Sequence, residues 1–332
     1  MSAARHRQST GASGHPRLRD VGWLVWRQHR LLIVTAAVVT LVLCVLQLLV
    51  ERQLHGLNCP DSDQCAVANG DLFTRAKWLL EAVVATPALV AAFVGAPLVA
   101  REIEQGTHIV AWGQDISPRR WLLSKLAVLG AVMAAFAAVL WACARRLAEA
   151  LTATAPSTVD FSRFSRLPFE TLAPLVVSYC VAALALGVAV GAVVRRTLPA
   201  VAIAAALFVG SWFAIGQFVR PHYLPAARSL APVSAAGVDS VEPNPLYLVN
   251  NSWADANGHV ASYPDGCNQV QDQVAWAACL NSHGVSHRVS IYQPGRREAE
   301  FQLIEAGLYG LLAAAGTALA VAATRNRVRR RP

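Results

Sequence analysis

Residues 171–194 read TLAPLVVSYCVAALALGVAVGAVV, and after a short RRT link residues 198–219 read LPAVAIAAALFVGSWFAIGQFV. Neither run contains a charged residue, and each exceeds the about 20 residues that an α-helix needs to cross a hydrocarbon core of roughly 30 Å. Lipid offers the backbone no hydrogen-bond partners, so a spanning segment must satisfy its own backbone as a helix. Four more runs of similar length lie at residues 31–50, 79–100, 121–144 and 303–323.

The overall composition agrees with six spans. Hydrophobic residues make up 55% of the 332 residues, charged residues only 15%, and the mean hydropathy is +0.40. Soluble domains contain about 45–50% apolar and about 25% charged residues, so a soluble globule, a disordered chain and a small disulfide scaffold are all excluded. The predicted fold class is an all-α integral membrane protein with six transmembrane helices. The net charge of +9 comes from basic residues that flank the apolar runs, which indicates topology rather than nucleic-acid binding.

The distribution of arginine and lysine predicts the orientation. With the N-terminus inside, the segments 1–30, 101–126, 195–197 and 324–332 face the cytoplasm and carry 17 of the 29 basic residues, although they are the shorter segments. The positive-inside rule therefore places both termini, including the basic tail, in the cytoplasm. The preference for arginine over lysine and the abundant alanine are typical of a bacterial protein, so we expect a bacterial plasma membrane.

Two segments outside the runs have predicted structure of their own. Within the cytoplasmic N-terminus 1–30, apolar residues at helical spacing beside Trp23 and Trp26 predict an interfacial helix before the first span. The segment 220–302 is too long for a plain loop and contains many turn-forming residues. We therefore expect a large extracellular segment between helices 5 and 6, in which residues 269–281 could form a short helix.

The cysteines fall into two groups. Three of them, Cys44, Cys143 and Cys180, lie inside predicted helices, where a thiol behaves as a small apolar residue. The other four lie in predicted external segments, where the environment is oxidising, so we expect the local disulfides Cys59–Cys65 and Cys267–Cys279. Pairing across the two segments, or four free or metal-binding thiols, remain the alternatives.

The apolar runs contain few groups that could carry chemistry. The carboxylates Glu81 and Glu305 lie near the outer ends of their spans, and intramembrane carboxylates are often functional. Snorkelling to the surface, or pairing of Glu81 with Arg75 or Lys77, explains them equally well. We find no catalytic constellation, no metal site and no cofactor motif, and the histidines of the external segment look like surface residues. The sequence therefore predicts that the chain is not an enzyme.

The second cytoplasmic segment, residues 101–120, is more informative than a simple turn. It begins with Arg101-Glu102-Ile103-Glu104, which continues the second span as a polar helix, and Gly106 permits a turn. Ser117 is a good N-cap with Pro118 at the first helical position, so the third helix should begin there. A compact polar projection of mixed charge favours docking of a soluble partner over binding of lipid.

Two sets of residues carry a resemblance to a known family. The first comprises Arg101-Glu102-x-Glu104-x-Gly106-Thr107, then Ala111-Trp112-x-Gln114, then Arg119-Arg120-Trp121-x-x-x-Lys125-Leu126; the second comprises Tyr292-Gln293-Pro294 and Phe301-Gln302-x-Ile304-Glu305-x-Gly307. The sequence resembles the permease subunits of type-2 ABC transporters, the exporter class, and in particular a subset common in actinobacteria. One departure is the stretch 296–300, where that subset usually has more aromatic residues.

The resemblance implies that the membrane pathway and the ATPase activity belong to different subunits. The permease would form the membrane pathway, and a separate ABC ATPase subunit in two copies would drive it. The chain itself contains no GxxxxGK[ST] phosphate loop. The resemblance also implies a second permease chain, as a homodimer or a sister subunit, with membrane lipid around it. The residues expected to form the ATPase-coupling interface are Arg101, Glu102, Glu104, Gly106, Thr107, Trp112, Gln114 and Arg119.

Two other classes of function remain open at this point. An intramembrane enzyme would need a cluster of polar groups at membrane depth, which the spans do not offer. A membrane-bound sensor or immunity protein would act through its extracellular segment and would need no ATPase. Association with an ATPase therefore distinguishes the permease from the sensor.

Overall fold

The computed structural model describes residues 18–57, 68–106, 117–154, 164–234, 237–238 and 247–328. Within these residues, six helical segments are long and apolar enough to cross a membrane. The predicted fold class, a helical integral membrane protein with six spans, is confirmed. The segment between the fifth and sixth spans adds a β-sheet that the sequence analysis did not predict.

The helices follow the apolar runs and extend beyond them into the polar flanks. The first span lies in α1 (Leu18–His55), and the second comprises α2 (Gly70–Leu89), a π-helix (Val90–Gly95) and α3 (Ala96–Glu104). The third span is α4 (Pro118–Thr154), the short helix α5 (Arg166–Leu172) follows, and the fourth span is α6 (Leu175–Val194). The fifth is α7 (Thr197–Ala214) with a π-helix (Ile215–Val219), α8 (Gln273–Ser282) lies outside the spans, and the sixth is α9 (Glu298–Val328).

The predicted interfacial helix differs from the expectation in one respect. Residues 18–30 are helical, but they continue into the first span without a break. The second span contains two prolines, and its π-helix lies between Pro87 and Pro97. Proline has no N–H to donate to the preceding turn, so the backbone register changes there.

The fourth span is the centre of the membrane part, and most of its residues are buried by the other spans. Its small residues make this possible. A side chain at Gly187 or Gly191 would collide with the backbone of the second span, and one at Gly316 of α9 would lie 3.0 Å from the backbone of Ala185. Small residues let helices approach closely in lipid, where the hydrophobic effect between helices is absent.

Within its described residues, the segment between the fifth and sixth spans contains a five-stranded antiparallel sheet. The strands are β1 (Ala227–Ser234), β2 (Gly237–Val238), β3 (Tyr247–Ala254), β4 (Val260–Ala261) and β5 (His287–Gln293), in the order β2-β1-β5-β3-β4. The helix α8 covers an apolar cluster against the sheet, with the disulfide Cys267–Cys279 inside it. Asp272 caps this helix by accepting the N–H of Ala275 at 2.8 Å.

The remaining cysteines are partly described. Cys44, Cys143 and Cys180 are free thiols in the spans, as the sequence predicts. The expected pair Cys59–Cys65 lies outside the described residues.

We call the side of the membrane part that carries Glu104, Pro118, Val194 and Thr197 the loop face. The opposite side, next to the sheet, is the sheet face.

Candidate functional site

The last turn of α3 carries three of the predicted coupling residues at the loop face. Arg101, Glu102 and Glu104 lie on it, and the helix ends at Glu104. Gly106 follows with φ +73°, in the left-handed region that favours glycine. A Cβ at Gly106 would meet no atom within 4 Å. Backbone strain, rather than crowding, is therefore what opposes a larger residue there.

Glu102 connects the second span to the third. Its carboxylate forms an ion pair with Lys125 of α4, whose side chain is only 5% exposed. The ammonium group of Lys125 also lies 4.6 Å from the centre of the Trp121 ring. A lysine this deeply buried depends on its carboxylate partner, because an unpaired charge away from water is costly.

Glu104 connects the second span to the fifth. Its Oε2 accepts a hydrogen bond from the N–H of Thr197 at 2.9 Å and another from the Thr197 hydroxyl at 2.6 Å. Thr197 is the first residue of α7, and the residue before it, Arg196, provides no side-chain cap. The first N–H groups of a helix lack partners within the helix, and a negative charge there also interacts well with the helix dipole. Glu104 therefore caps the fifth span from a different helix.

The other predicted coupling residues take no part in the contacts that Glu102 and Glu104 make with the third and fifth spans. Arg101 is exposed and forms no ion pair within the described part of the chain. Arg119 lines a groove between the third, fourth and sixth spans. Thr107, Trp112 and Gln114 lie outside the described residues. The third helix starts where the sequence predicts, because the hydroxyl of Ser117 accepts the N–H of Arg120 at 3.3 Å.

The sheet face contains a buried charged cluster around Glu305. Arg220, directly after the fifth span's π-helix, donates to both oxygens of Glu305, from Nε at 2.8 Å and from Nη2 at 2.6 Å. The hydroxyls of Tyr179 and Tyr223 also donate to Glu305, the latter at 3.1 Å. The side chains of Arg220 and Glu305 are 6% and 1% exposed. This cluster joins the fourth, fifth and sixth spans.

Glu170 of α5 is the third charged member of the cluster. Its Oε1 lies 3.4 Å from Nη2 of Arg220 and accepts the indole N–H of Trp212 at 3.1 Å. Its Oε2 has no hydrogen-bond partner within the described residues. Glu170 lies outside the six spans, and burial raises the pKa of its carboxyl to about 7, an effect that nearby Arg220 opposes. This carboxyl can therefore change its charge near neutral pH.

The comparison with protein families is decisive here. Residues 31–220, more than half of the chain, match the model of a family described as ABC-2 membrane transporter related. The chain belongs to this family. It is therefore a multi-pass membrane permease component of a transporter. No curated protein and no solved structure matches the chain.

In this ABC-2 family permease, the intramembrane carboxylates found by sequence both have partners. Glu305 is the centre of the charged cluster. Glu81 forms an ion pair with Arg166 of α5, not with Arg75 or Lys77 as the sequence allowed. Both residues of this second pair are partly exposed. The two carboxylates therefore fix α5 and Arg220 against the spans at the sheet face.

Sequence reasoning missed Glu170 and Arg220 as members of the site, since each was placed just outside a predicted span. A signal was present, however. A carboxylate at Glu305 within an apolar run needs a counter-charge, and Arg220 is the first charged residue after the fifth run. The acid nearest the start of the fourth run is Glu170.

The second sequence motif of this ABC-2 permease surrounds the same cluster. Gln293 donates to the carbonyl of Leu224 at 2.7 Å, and Gln302 donates to the carbonyl of Phe169 at 3.3 Å. Phe301 is fully buried and packs 5.4 Å, centre to centre, from the Tyr223 ring. The motif therefore fixes the chain between β5 and the sixth span against the end of the fifth.

One group of potential metal ligands occurs among the described residues. Cys267, Cys279 and His283 place a sulfur or nitrogen atom within 4.8 Å of one another. The two sulfurs are joined in a disulfide, which leaves no thiolate for a metal. These residues fit a structural disulfide and not a metal site.

Proposed function

We propose that this permease is the membrane-spanning subunit of an ATP-driven exporter and that a separate ABC ATPase, in two copies, docks on its loop face. A second permease chain, identical or a sister subunit, completes the membrane pathway. The loop face lies in the cytoplasm of a bacterial plasma membrane together with both termini. The chain takes no part in the chemistry of ATP hydrolysis.

The observation that carries this proposal is the double attachment of α3. Residues 101–106 are bound to the third span through Glu102 and Lys125, and to the fifth span through Glu104 and Thr197. A partner that displaces this segment therefore moves the ends of two other spans as well. Arg101, exposed and without an ion pair in the described residues, is available to contact the ATPase.

The fifth span is fixed at both of its ends. Thr197 binds Glu104 at the loop face, and Arg220 binds Glu305 and Glu170 at the sheet face. Displacement of the loop face is therefore transmitted along a helix whose far end is attached to the sixth span and to α5. Opening the pathway toward the sheet face requires that the Arg220 contacts break or that the sixth span moves with the fifth.

The test is purification of the full-length permease from its native membrane, followed by identification of associated proteins by mass spectrometry. We expect an ABC ATPase to co-purify, and its ATP hydrolysis in lipid nanodiscs to depend on the permease. Absence of an ATPase from the purified protein under several mild detergents would contradict the proposal. It would favour the sensor that acts through its extracellular segment.

A further inference from the structure

A long apolar groove opens on the side of the membrane part, with a volume of about 690 Å³. Its floor is the fourth span, represented by Val181, Leu184 and Ala185, and its walls are the third and sixth spans. The sixth span packs closely on the fourth at Gly316, but it makes only limited contact with the third. The gap between the third and sixth spans is the groove.

Small residues keep the groove open. The sixth span contributes four alanines and a threonine to its wall, and the third contributes Gly130. The hydroxyl of Thr317 donates to the backbone carbonyl of Ala313 at 2.8 Å, so it offers the groove little beyond its methyl group. A Cβ at Gly130 would meet only the Leu184 side chain, at 3.8 Å. The walls therefore suit a flexible apolar chain.

The length of the groove matches one leaflet of a bilayer. Its residues on the sixth span run from Ala313 to Arg325 on one helical face, which is about 18 Å at 1.5 Å per residue. On the third span they run from Gly130 to Arg119, which is about 16 Å. Half of a hydrocarbon core of roughly 30 Å is about 15 Å. The groove therefore reaches from the loop face to about the bilayer centre.

Two positive charges lie at the mouth of the groove. Arg119 and Arg325 are the polar ends of the two walls, both at the loop face, and both side chains are exposed. Within the described residues, neither guanidinium has a carboxylate within ion-pair distance. Arginine forms paired hydrogen bonds with phosphate, and two arginines on opposite walls can approach one phosphate from both sides. The remaining lining of the groove is apolar.

We propose that this groove binds one anionic phospholipid, with its phosphate between Arg119 and Arg325 and an acyl chain along Leu126, Leu184 and Ala314. The orientation under Proposed function places this lipid in the inner leaflet, but the site itself does not depend on that orientation. The charge at the mouth selects an anionic headgroup over a zwitterionic one. Arg119 thus has a ligand at the loop face whether or not it also contacts an ATPase.

The test is native mass spectrometry of the purified permease titrated with phosphatidylglycerol or with phosphatidylcholine of the same acyl chains. We expect one phosphatidylglycerol to bind preferentially. The double variant Arg119→Gln/Arg325→Gln should lower that affinity by about 30-fold, because a basic residue near an anionic lipid surface contributes about fivefold. The matched control Arg120→Gln/Arg195→Gln removes two charges from the same face without touching the groove, and it should bind as the wild type does.

A second pair of variants tests the groove without changing its charge. Ala318→Phe fills the groove and should abolish the phosphatidylglycerol preference, whereas Leu319→Phe, on the exposed neighbouring position, should preserve it. Equal binding of the two lipids by the wild type would overturn the proposal. So would an unchanged phosphatidylglycerol preference in Ala318→Phe. If that variant also changed its oligomeric state, the groove would hold a protein segment instead of a lipid.

Discussion

Arg220 binds Glu305 through two contacts, Nε to Oε2 at 2.8 Å and Nη2 to Oε1 at 2.6 Å, in a site with almost no exposure to solvent. A paired geometry of this kind is the strong form of an arginine–carboxylate interaction. Glu170 shares the same guanidinium, so one positive charge serves two carboxylates. The cluster is therefore balanced when one of the two carboxyls is protonated.

The first prediction concerns the stability of this cluster. Arg220→Met leaves Glu305 buried without its counter-charge, and breaking a buried pair in this way costs about 3–5 kcal/mol. Arg220→Met/Glu305→Leu removes both charges of this pair, and Glu170 can remain protonated because its pKa is raised to about 7. The double variant should therefore be less destabilised than Arg220→Met alone. Chemical unfolding in detergent measures both. Arg166→Gln, in the more exposed pair with Glu81, is the control and should cost about 1 kcal/mol or less. If Arg220→Met/Glu305→Leu is at least as unstable as Arg220→Met, the broken ion pair is not the cause of the lost stability.

The second prediction concerns pH. Burial raises the pKa of Glu170 from 4.5 to about 7, so the folded state binds a proton that the unfolded state has already released. This proton contributes to the free energy of unfolding. The contribution is fully present below pH 4.5 and is lost as the pH rises through about 7. The charged groups that act on Glu170 are Arg220, Glu305 and Arg166.

Glu170→Gln mimics the protonated carboxyl and removes this dependence. We expect the wild type to lose stability relative to Glu170→Gln between pH 5 and pH 8, measured by thermal unfolding in the same detergent. If the difference in melting temperature between the two proteins is constant across this range, the pKa of Glu170 lies elsewhere. A difference of the opposite sign would show that Arg220 outweighs burial.

The sequence predicts the membrane part well because length and hydrophobicity directly determine a span. The six runs and the start of α4 at Ser117 and Pro118 both follow from local signals. The helix α8 is also predicted by its own residues. These features depend on neighbours in the chain and not on distant partners.

The rest depends on contacts that are far apart in sequence. The strand β3 reads YLVNNSWA, whose central polar residues weaken the alternation expected of a strand. Its pairing with β5 defines it instead. Likewise, Glu170 and Glu305 meet only through the guanidinium of Arg220, which contacts both, and Glu104 becomes a helix cap only when Thr197 is beside it. No local sequence pattern predicts these pairings.

The third prediction concerns topology. Reporter fusions after Val50, Ala144 and Val219 should report the external side of the membrane. Fusions after Ala100, Val194 and Ala323 should report the cytoplasm, because the basic segments adjoin those ends. A cytoplasmic signal after Val219 together with an external C-terminus would reverse the orientation, and the loop face could no longer meet a cytoplasmic ATPase.

The fourth prediction concerns the two disulfides expected in the segments that the topology prediction places outside. Mass mapping of the non-reduced protein should recover Cys267 joined to Cys279, and Cys59 joined to Cys65. Closing a loop of about 13 residues stabilises a fold by roughly 3 kcal/mol, so Cys267→Ser/Cys279→Ser should loosen the apolar cluster around α8 and make it more sensitive to protease. Cys180→Ser, which replaces a free thiol in the fourth span, is the control for loss of a cysteine. Four alkylatable external thiols would contradict the assignment.

The fifth prediction concerns coupling through the segment from Arg101 to Arg120. Glu104→Arg places a positive charge at the start of α7, where the Thr197 N–H and the helix dipole require a negative one. Gly106→Val forces a β-branched residue into a left-handed conformation. We expect both variants to insert into the membrane and fold, yet to lose association with the ATPase or permease-dependent ATP hydrolysis.

Two matched variants separate coupling from mere folding. Thr197→Val removes the hydroxyl that binds Glu104 but leaves the backbone N–H, so it should weaken coupling less than Glu104→Arg does. Arg327→Glu, in the basic tail, should leave coupling nearly intact. If Glu104→Arg and Gly106→Val bind the ATPase and support its hydrolysis as the wild type does, this segment only connects two spans. The motion of the ATPase must then enter the permease elsewhere.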